Sequence, residues 1–175
     1  MFSYAKHRQK KDGVKSPKMC AVLDIDDTLI SDETFGWRAI PSVIRLYRAM
    51  KTLGCKVFLV TAREDAKDVV DWTKDQLRVV GITDQDGLYL CPRSSRDSMA
   101  AVGKWKASMR KKLAKQFGGC VVLTVGDQWT DIVEEKDAGS IDAYAKYDGL
   151  TKDPYCIVRT NDKVSIWGLK LKAKK

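Results

Sequence analysis

Two aspartates that directly follow a short apolar run constrain the fold of this chain more than any other feature. The run is Met19-Cys20-Ala21-Val22-Leu23, and the polar stretch after it is Asp24-Ile25-Asp26-Asp27-Thr28-Leu29. An apolar run of this length is typical of a buried strand. Side chains alternate along a strand, so Asp24 and Asp26 are expected to point the same way where the backbone leaves the sheet. Such a pair suits phosphoryl transfer, and an Asp-rich turn is the alternative interpretation.

Two later apolar runs also end in polar residues. Residues 56–60 lead into Thr61-Ala62-Arg63, and residues 119–125 lead into Gly126-Asp127-Gln128-Trp129-Thr130-Asp131. In a parallel sheet the carboxyl ends of the strands share one edge, where open α/β folds place their ligands. The Thr61 hydroxyl and the N–H groups beside it are expected to cradle a phosphate. Lys106, on an amphipathic segment between these runs, is expected to add a cation at the same edge.

The order of patterns predicts an α/β fold. Strands are expected near residues 19–23, 56–60, 88–90, 119–125 and 155–158, and helices near 41–53, 64–80 and 104–117. This alternation predicts a Rossmann-like three-layer αβα sandwich around a mainly parallel sheet of about five strands. The gaps after Thr28 and after Pro92 are short, so no large cap domain is expected.

The positive charge lies at the two ends of the chain. Of the formal net charge of +9, residues 1–18 and 163–175 together carry +10, which leaves −1 for residues 19–162. We therefore expect a basic N-terminal arm over residues 1–18, one globular domain over residues 19–162 and a basic C-terminal tail over residues 163–175. Nucleic-acid binding by the ends is possible on charge alone, but the central part gives it no support.

Cysteine usage and the N-terminus predict a cytoplasmic protein. The five cysteines are odd in number and contain no C-x-x-C pair, which is typical of buried thiols in a reducing compartment. The first residues show no apolar core of a secretory signal, and no run approaches the length of a transmembrane segment.

Taken together, these motifs resemble those of the haloacid dehalogenase (HAD) superfamily. The four ordered motifs of that family are D-x-D-x-T, a Ser or Thr after a strand, a Lys, and G-D-x-x-x-D. The chain is most similar to the plant-type and class B acid phosphatase subfamily, which includes vegetative storage proteins. Gly126-Asp127-Gln128-Trp129-Thr130-Asp131 resembles its G-D-Q-W-S-D, and Lys106 with Arg110 and Leu113 resembles its K-S-x-x-R-x-x-L helix, with Ala107 in place of the Ser.

The resemblance implies a phosphoric monoester hydrolase that works through an aspartyl phosphate. Asp24 would be the nucleophile and Asp26 the general acid and base. Thr61, the Ala62 N–H and Lys106 would bind the phosphoryl group. One Mg²⁺ would be held by Asp24, the Asp26 carbonyl and Asp127, and Asp131 would orient that metal shell or Lys106.

Several other catalytic mechanisms are excluded, and two alternative functions stay open. The spacing from Cys91 to Arg96 is one residue too short for a tyrosine-phosphatase loop, and the single histidine, His7, argues against phosphohistidine chemistry. No P-loop pattern is present. A small phosphomonoester is the leading substrate. A polynucleotide or phosphoprotein phosphatase is the first alternative, and a non-catalytic storage or binding protein is the second.

Overall fold

The protein is described from a computed structural model. It describes residues 19–31, 37–116 and 121–131, together with the backbone of residues 145–146 and 157–160. Within these ranges, no helix combines the length and the apolar character needed to cross a bilayer. The expected basic arm 1–18 and basic tail 163–175 lie outside the described residues, so the three-part division of the chain stays a prediction.

A six-stranded sheet forms the centre of the fold, with strand order β5-β4-β1-β6-β8-β7. The four strands β1, β4, β5 and β6 are parallel, and β8 and β7 are antiparallel to their neighbours. The strands of this sheet are β1 Cys20–Leu23, β4 Lys56–Glu64, β5 Gly87–Cys91, β6 Val121–Gly126, β7 Ala145–Lys146 and β8 Ile157–Thr160. A separate hairpin pairs β2 Ile30–Ser31 with β3 Arg38–Ala39.

Helices cover both faces of the sheet, which makes the three layers. The helices are α1 Pro41–Thr52, α2 Lys67–Val79 and α3 Met99–Gln116. Ala21 and Leu23 on β1 face a core that includes side chains of α1 and α2, whereas Cys20 and Val22 face Met109 and Leu113 of α3. Full burial of a side chain such as Val22 or Leu23 contributes about 1.5–3 kcal/mol, so the alternation along β1 fixes the register of the sheet.

The three-layer α/β prediction is confirmed, with differences at several elements. Strand β4 continues to Glu64, four residues past the predicted end, and α3 begins at Met99 rather than at residue 104. The fifth predicted strand is present as β8 Ile157–Thr160, but it runs antiparallel. The β2–β3 hairpin and the two-residue β7 were not predicted, because such short strands leave no periodic pattern in a sequence.

Both predicted gaps are bridged by small elements among the described residues. The first contains the β2–β3 hairpin, and the second contains a single 3₁₀ turn, Arg93–Ser95. Gly54, which was expected to end α1, has φ +76° and terminates the helix two residues after Thr52. The carboxyl ends of β1, β4 and β6 lie next to one another along one edge of the sheet.

Candidate active site

A buried lysine between two aspartates is the centre of this sheet edge. Lys106 is only 3% exposed, its Nζ lies 3.0 Å from Asp24 Oδ1, and it donates a short hydrogen bond to Asp131 Oδ1. Burial alone lowers the pKa of Lys106, but the charges of Asp24 and Asp131 outweigh it and raise that pKa. The lysine is therefore a permanent cation beside the first aspartate of the D-x-D pair.

Each of the three residues is positioned by a different element. Asp24 directly follows β1, and its N–H donates to the Val125 carbonyl of β6 at 2.9 Å. Lys106 lies in the second turn of α3, on the face that packs toward the sheet. Asp131 ends a short 3₁₀ turn, Trp129–Asp131, that follows β6. The arrangement requires the tertiary fold, because no two of these residues are near one another in sequence.

Close backbone packing holds the Asp131 turn against α3. The Arg110 guanidinium, one turn after Lys106, donates to the main-chain carbonyls of Thr130 and Asp131. A Cβ added to Gly103 would lie 3.0 Å from the Thr130 side chain. A Cβ added to Gly126 would overlap the Asp131 carboxylate. Glycine at position 126 is therefore needed to make room for the acid that contacts Lys106.

Three carboxylates at this edge form a cluster suited to a cation. One oxygen each of Asp24, Asp127 and Asp131 lies within 4.8 Å of the others. Burial and the neighbouring Asp131 raise the pKa of Asp24 well above its ordinary value, and Lys106 only partly opposes this. Burial also raises the pKa of Asp127. Three acids with one lysine leave excess negative charge in a poorly hydrated place, which fits a divalent metal with oxygen ligands.

The oxygens of the cluster are not equally available to a metal. Asp131 is committed through both oxygens, since Oδ1 accepts from Lys106 and Oδ2 accepts from the Gln128 N–H at 2.9 Å. Asp24 Oδ1 is buried and has no hydrogen bond of good geometry. Asp127 is only half-buried, and its described partner is the Gln128 side-chain amide. Asp24 and Asp127 are thus the better direct ligands, and Asp131 orients Lys106.

The second aspartate of the pair contacts a different set of residues. Asp26 accepts from Arg63, with Nε 3.0 Å from each carboxylate oxygen and Nη2 2.6 Å from Oδ1. The Thr61 hydroxyl lies 3.3 Å from Asp26 Oδ2 and accepts from the Arg63 N–H at 3.2 Å. The regular strand ends at Leu23, so simple alternation does not govern the two carboxylates. Asp24 is directed to the β6–α3 side, and Asp26 to the β4–α2 side.

The predicted phosphate cradle has a different setting from the one expected. Thr61 and Ala62 do not lie at a strand-to-helix junction, because β4 continues through them and α2 begins only at Lys67. The pairing of β4 with β5 shifts register between Thr61 and Glu64, and no β5 residue is paired with Ala62 or Arg63. A bulge of this kind redirects side chains, and here it turns Arg63 toward Asp26.

A match to a known protein family agrees with the geometry of the site. Residues 33–151, more than half of the chain, match the family described as HAD superfamily, subfamily IIIB (acid phosphatase). The chain belongs to this HAD subfamily. The matched segment contains Thr61, Lys106, Asp127 and Asp131, and the D-x-D pair lies just before it.

Plant proteins and one bacterial structure are similar to this HAD chain. Vegetative storage protein 1 of Arabidopsis thaliana is 30% identical over 55% of the chain and 33% of its own length. Acid phosphatase 1 of Solanum lycopersicum is 28% identical over 64% of the chain and 51% of its own length. The chain thus spans between a third and about half of these relatives. A class C acid phosphatase from Bacillus anthracis shares the fold, with a TM-score of 0.53, 18% identity, and coverage of 75% of this chain and 60% of that one.

The structure brings together Asp24, Lys106, Asp127 and Asp131 of the predicted HAD site, and it places Asp26 beside Thr61. Three residues of the site were not assigned a role from the sequence: Arg63, Arg110 and Gln128. Arg110 and Gln128 lie inside recognised motifs and Arg63 lies two residues after Thr61, so position was a usable signal for them. Their partners are set by tertiary packing, which no spacing rule shows.

Proposed function

We propose that this protein is a Mg²⁺-dependent phosphomonoesterase that acts through an aspartyl-phosphate intermediate. The observation that carries the proposal is the buried Lys106 held between Asp24 and Asp131 at the carboxyl edge of the sheet. A carboxylate nucleophile repels a phosphate dianion, so it needs fixed positive charge at this point. Membership of an acid phosphatase subfamily supports the same reaction.

In the first half-reaction, Asp24 attacks the phosphorus atom of the substrate. A bond forms between an Asp24 carboxylate oxygen and phosphorus, and the bond from phosphorus to the leaving oxygen breaks. Protonated Asp26 gives its proton to that leaving oxygen, so the alcohol departs neutral. Lys106 stabilises the charge on the phosphoryl oxygens, and Thr61 with the Ala62 N–H supports the same group from β4.

In the second half-reaction, water attacks the phosphorus of the aspartyl phosphate. Asp26, now a carboxylate, takes a proton from that water as the new oxygen–phosphorus bond forms. The bond between phosphorus and Asp24 breaks, which releases inorganic phosphate and restores the Asp24 carboxylate. General acid–base catalysis of this kind is worth roughly 10²–10⁴-fold, so the loss of Asp26 should slow turnover strongly.

The metal would be held by Asp24, Asp127 and the Asp26 main-chain carbonyl. Asp131 would lie outside this set of direct ligands. When bound, the cation supplies charge neutralisation for the nucleophile and the phosphoryl oxygens. Turnover of an aryl phosphate should be nearly absent in EDTA and should return with added Mg²⁺. Full activity in chelator would rule out this part of the proposal.

Two asparagine variants test the assignment of the carboxylates. Asp24→Asn keeps the shape of the side chain but removes the attacking oxygen, so no phosphoenzyme and no turnover are expected. Asp26→Asn should still form the intermediate from a nitrophenyl phosphate, whose leaving group needs little protonation, and should hydrolyse it slowly. Rapid-quench kinetics would show a burst of nitrophenolate followed by a low steady rate. A burst from Asp24→Asn, with none from Asp26→Asn, would reverse the roles.

A storage role is the second candidate, because two of the relatives are vegetative storage proteins. The presence of Asp24 in contact with Lys106 favours catalysis over storage. Absence of turnover across phosphorylated metabolites, phosphopeptides and end-phosphorylated oligonucleotides, in the presence of Mg²⁺, would favour the storage role. The same screen separates a small-molecule phosphatase from one that acts on polynucleotides or phosphoproteins.

The location of the protein is a separate proposal. Cys55 and Cys91 are buried thiols, and burial raises the pKa of both, that of Cys55 to about 12. Thiols of this kind are unreactive and are compatible with a reducing compartment. We therefore propose a cytoplasmic location, which fractionation of the source cells would test.

A further inference from the structure

Arg63 is a buried cation to which the mechanism above gives no task. Its side chain is 8% exposed, whereas the Asp26 side chain that it contacts is 43% exposed. Nε and Nη2 of Arg63 together approach both oxygens of the Asp26 carboxylate. A forked contact of this type fixes the plane of a carboxylate as well as its position, which a lysine cannot do.

Helix α2 contacts Nη1 of the guanidinium, whereas Nε and Nη2 contact Asp26. Arg63 Nη1 donates to the Thr73 hydroxyl at 3.0 Å and to the Gln76 side-chain carbonyl at 2.6 Å, and both of these residues are buried. The Trp72 ring lies over the guanidinium, with its centroid 4.6 Å from Arg63 Cζ. The ring shields the cation from water and attracts it through its π face.

We propose that Arg63 is a positioning residue for Asp26, and that Trp72, Thr73 and Gln76 of α2 hold Arg63 in place for this purpose. The inference rests on the proposed function and deepens it. Two donors directed at both oxygens hold the Asp26 carboxylate in one orientation, and the mechanism above requires a fixed orientation when Asp26 takes a proton from water. Arg63 therefore serves the second half-reaction, in which the water oxygen bonds to phosphorus, the bond to Asp24 breaks and the proton passes to Asp26.

The test separates the two half-reactions in the full-length protein. With a nitrophenyl phosphate, formation of the intermediate needs no proton from Asp26. Arg63→Met should therefore leave the burst rate within a few-fold and lower the later steady rate by about 10–100-fold, the range expected when a catalytic group is misplaced. Arg63→Lys, which keeps the charge but not the fork, should show a smaller loss in the same phase.

A matched control lies on the same helix. Arg78 forms an exposed pair with Asp75 at 2.6 Å, so Arg78→Met removes an arginine from α2 without touching Asp26. Both phases should be unchanged in that variant. Should Arg63→Met fail to fold, the double variant Thr73→Val with Gln76→Met keeps Arg63 and removes the two acceptors that hold it. That variant should also slow the steady phase selectively.

Several results would overturn the inference. One is an equal fall of burst and steady rates in folded Arg63→Met, which indicates a general structural role. Another is a large rise in KM and in the inhibition constant of inorganic phosphate with kcat unchanged, which indicates direct substrate binding. A third is an unchanged steady rate. Asp24→Asn measured in parallel distinguishes these from failure of the proposed function, because a burst in that variant contradicts the function itself.

Discussion

At the scale of single residues, the predicted site depends on a lysine and two aspartates whose charges compensate one another. Lys106 lies between Asp24 and Asp131, and each of the three side chains is buried. Removing one partner of a buried ionic group leaves the others without compensation, which costs more than removing the whole group.

Lys106→Met should therefore lower both activity and stability. We expect kcat for an aryl phosphate to fall by roughly 10²–10³, as when a donor to the transition state is lost. We expect the free energy of unfolding to fall by about 3–5 kcal/mol, measured in urea. Adding Asp131→Asn to this variant should recover part of the stability and none of the activity. Lys104→Met, at an exposed position of the same helix, is the control and should change neither quantity.

Gly126→Ala tests the close contact with Asp131. The new Cβ would overlap the Asp131 carboxylate, so that side chain must move away from Lys106. We expect a loss of about 1–3 kcal/mol in stability, typical of overpacking, together with a clear drop in kcat. Gly54→Ala is the control. The φ of +76° at this position makes any other residue unfavourable by about 1–2 kcal/mol, but nothing lies within 4 Å of the new methyl group. A normal kcat in Gly126→Ala would contradict the packing described above.

The residues of the site could be predicted where their chemistry is carried by a short motif. Asp24, Asp127 and Lys106 are of this kind, and the structure places them together. Arg63 could not be assigned, because its partners Asp26 and Gln76 are separated from it by 37 and 13 positions. A sequence shows that an arginine is present, but only the folded chain shows what its five N–H groups contact.

At the scale of elements, Asp86 links β5 to helix α1 and strand β4 at the end of the sheet opposite the predicted site. Asp86, just before β5, accepts from Lys51 of α1 at 2.7 Å and from Lys56 Nζ of β4 at 2.7 Å. It also accepts from the Val57 N–H at 2.9 Å. Burial opposes ionisation of Asp86, but these donors prevail and its pKa is lowered.

Asp86→Ala should destabilise the fold in a pH-dependent way. A carboxyl whose pKa is lower in the folded state stabilises that state above its unfolded pKa of about 3.9, and the contribution is lost as the pH falls through the folded value. At pH 7 we expect a loss of about 1–3 kcal/mol, since several donors lose their acceptor. The difference from the unmodified protein should shrink below about pH 4. Urea unfolding at neutral and at acidic pH measures this difference in stability. Asp75→Ala, which removes the exposed pair with Arg78 on α2, is the control.

Element boundaries were predicted well where a turn residue marks them and less well where packing decides them. Pro41 and Gly54 delimit α1 as expected. The end of β4 was missed because three of its last four residues, Thr61, Arg63 and Glu64, are polar. Pairing of Thr61 and Glu64 with β5 and contacts to Asp26 hold this segment in the strand. Strand β8 runs antiparallel to β6, and a four-residue pattern contains no information about the direction of a strand.

At the scale of the whole molecule, charge and chemistry are separated along the chain. The predicted site lies within residues 24–131, and the excess positive charge lies in residues 1–18 and 163–175. We therefore expect removal of residues 1–15 and 170–175 to leave turnover of a small aryl phosphate within a few-fold. The experiment compares kcat/KM of the two forms at low and at moderate salt. A collapse of folding or turnover after truncation would show that the ends belong to the catalytic domain.

The divergence of the two aspartates has a consequence for how such a protein changes over generations. Asp24 depends on Lys106, Asp131 and the β6–α3 side, whereas Asp26 depends on Arg63, Thr61 and the β4–α2 side. On the proposed mechanism, a substitution on the second side would leave a protein that captures phosphate covalently but releases it slowly. A substitution on the first side would end that chemistry and would also remove a partner from a buried ionic group, which lowers stability. Loss of catalysis by single substitutions is then expected to begin on the second side, where the Asp26 side chain is 43% exposed, rather than at the buried Lys106.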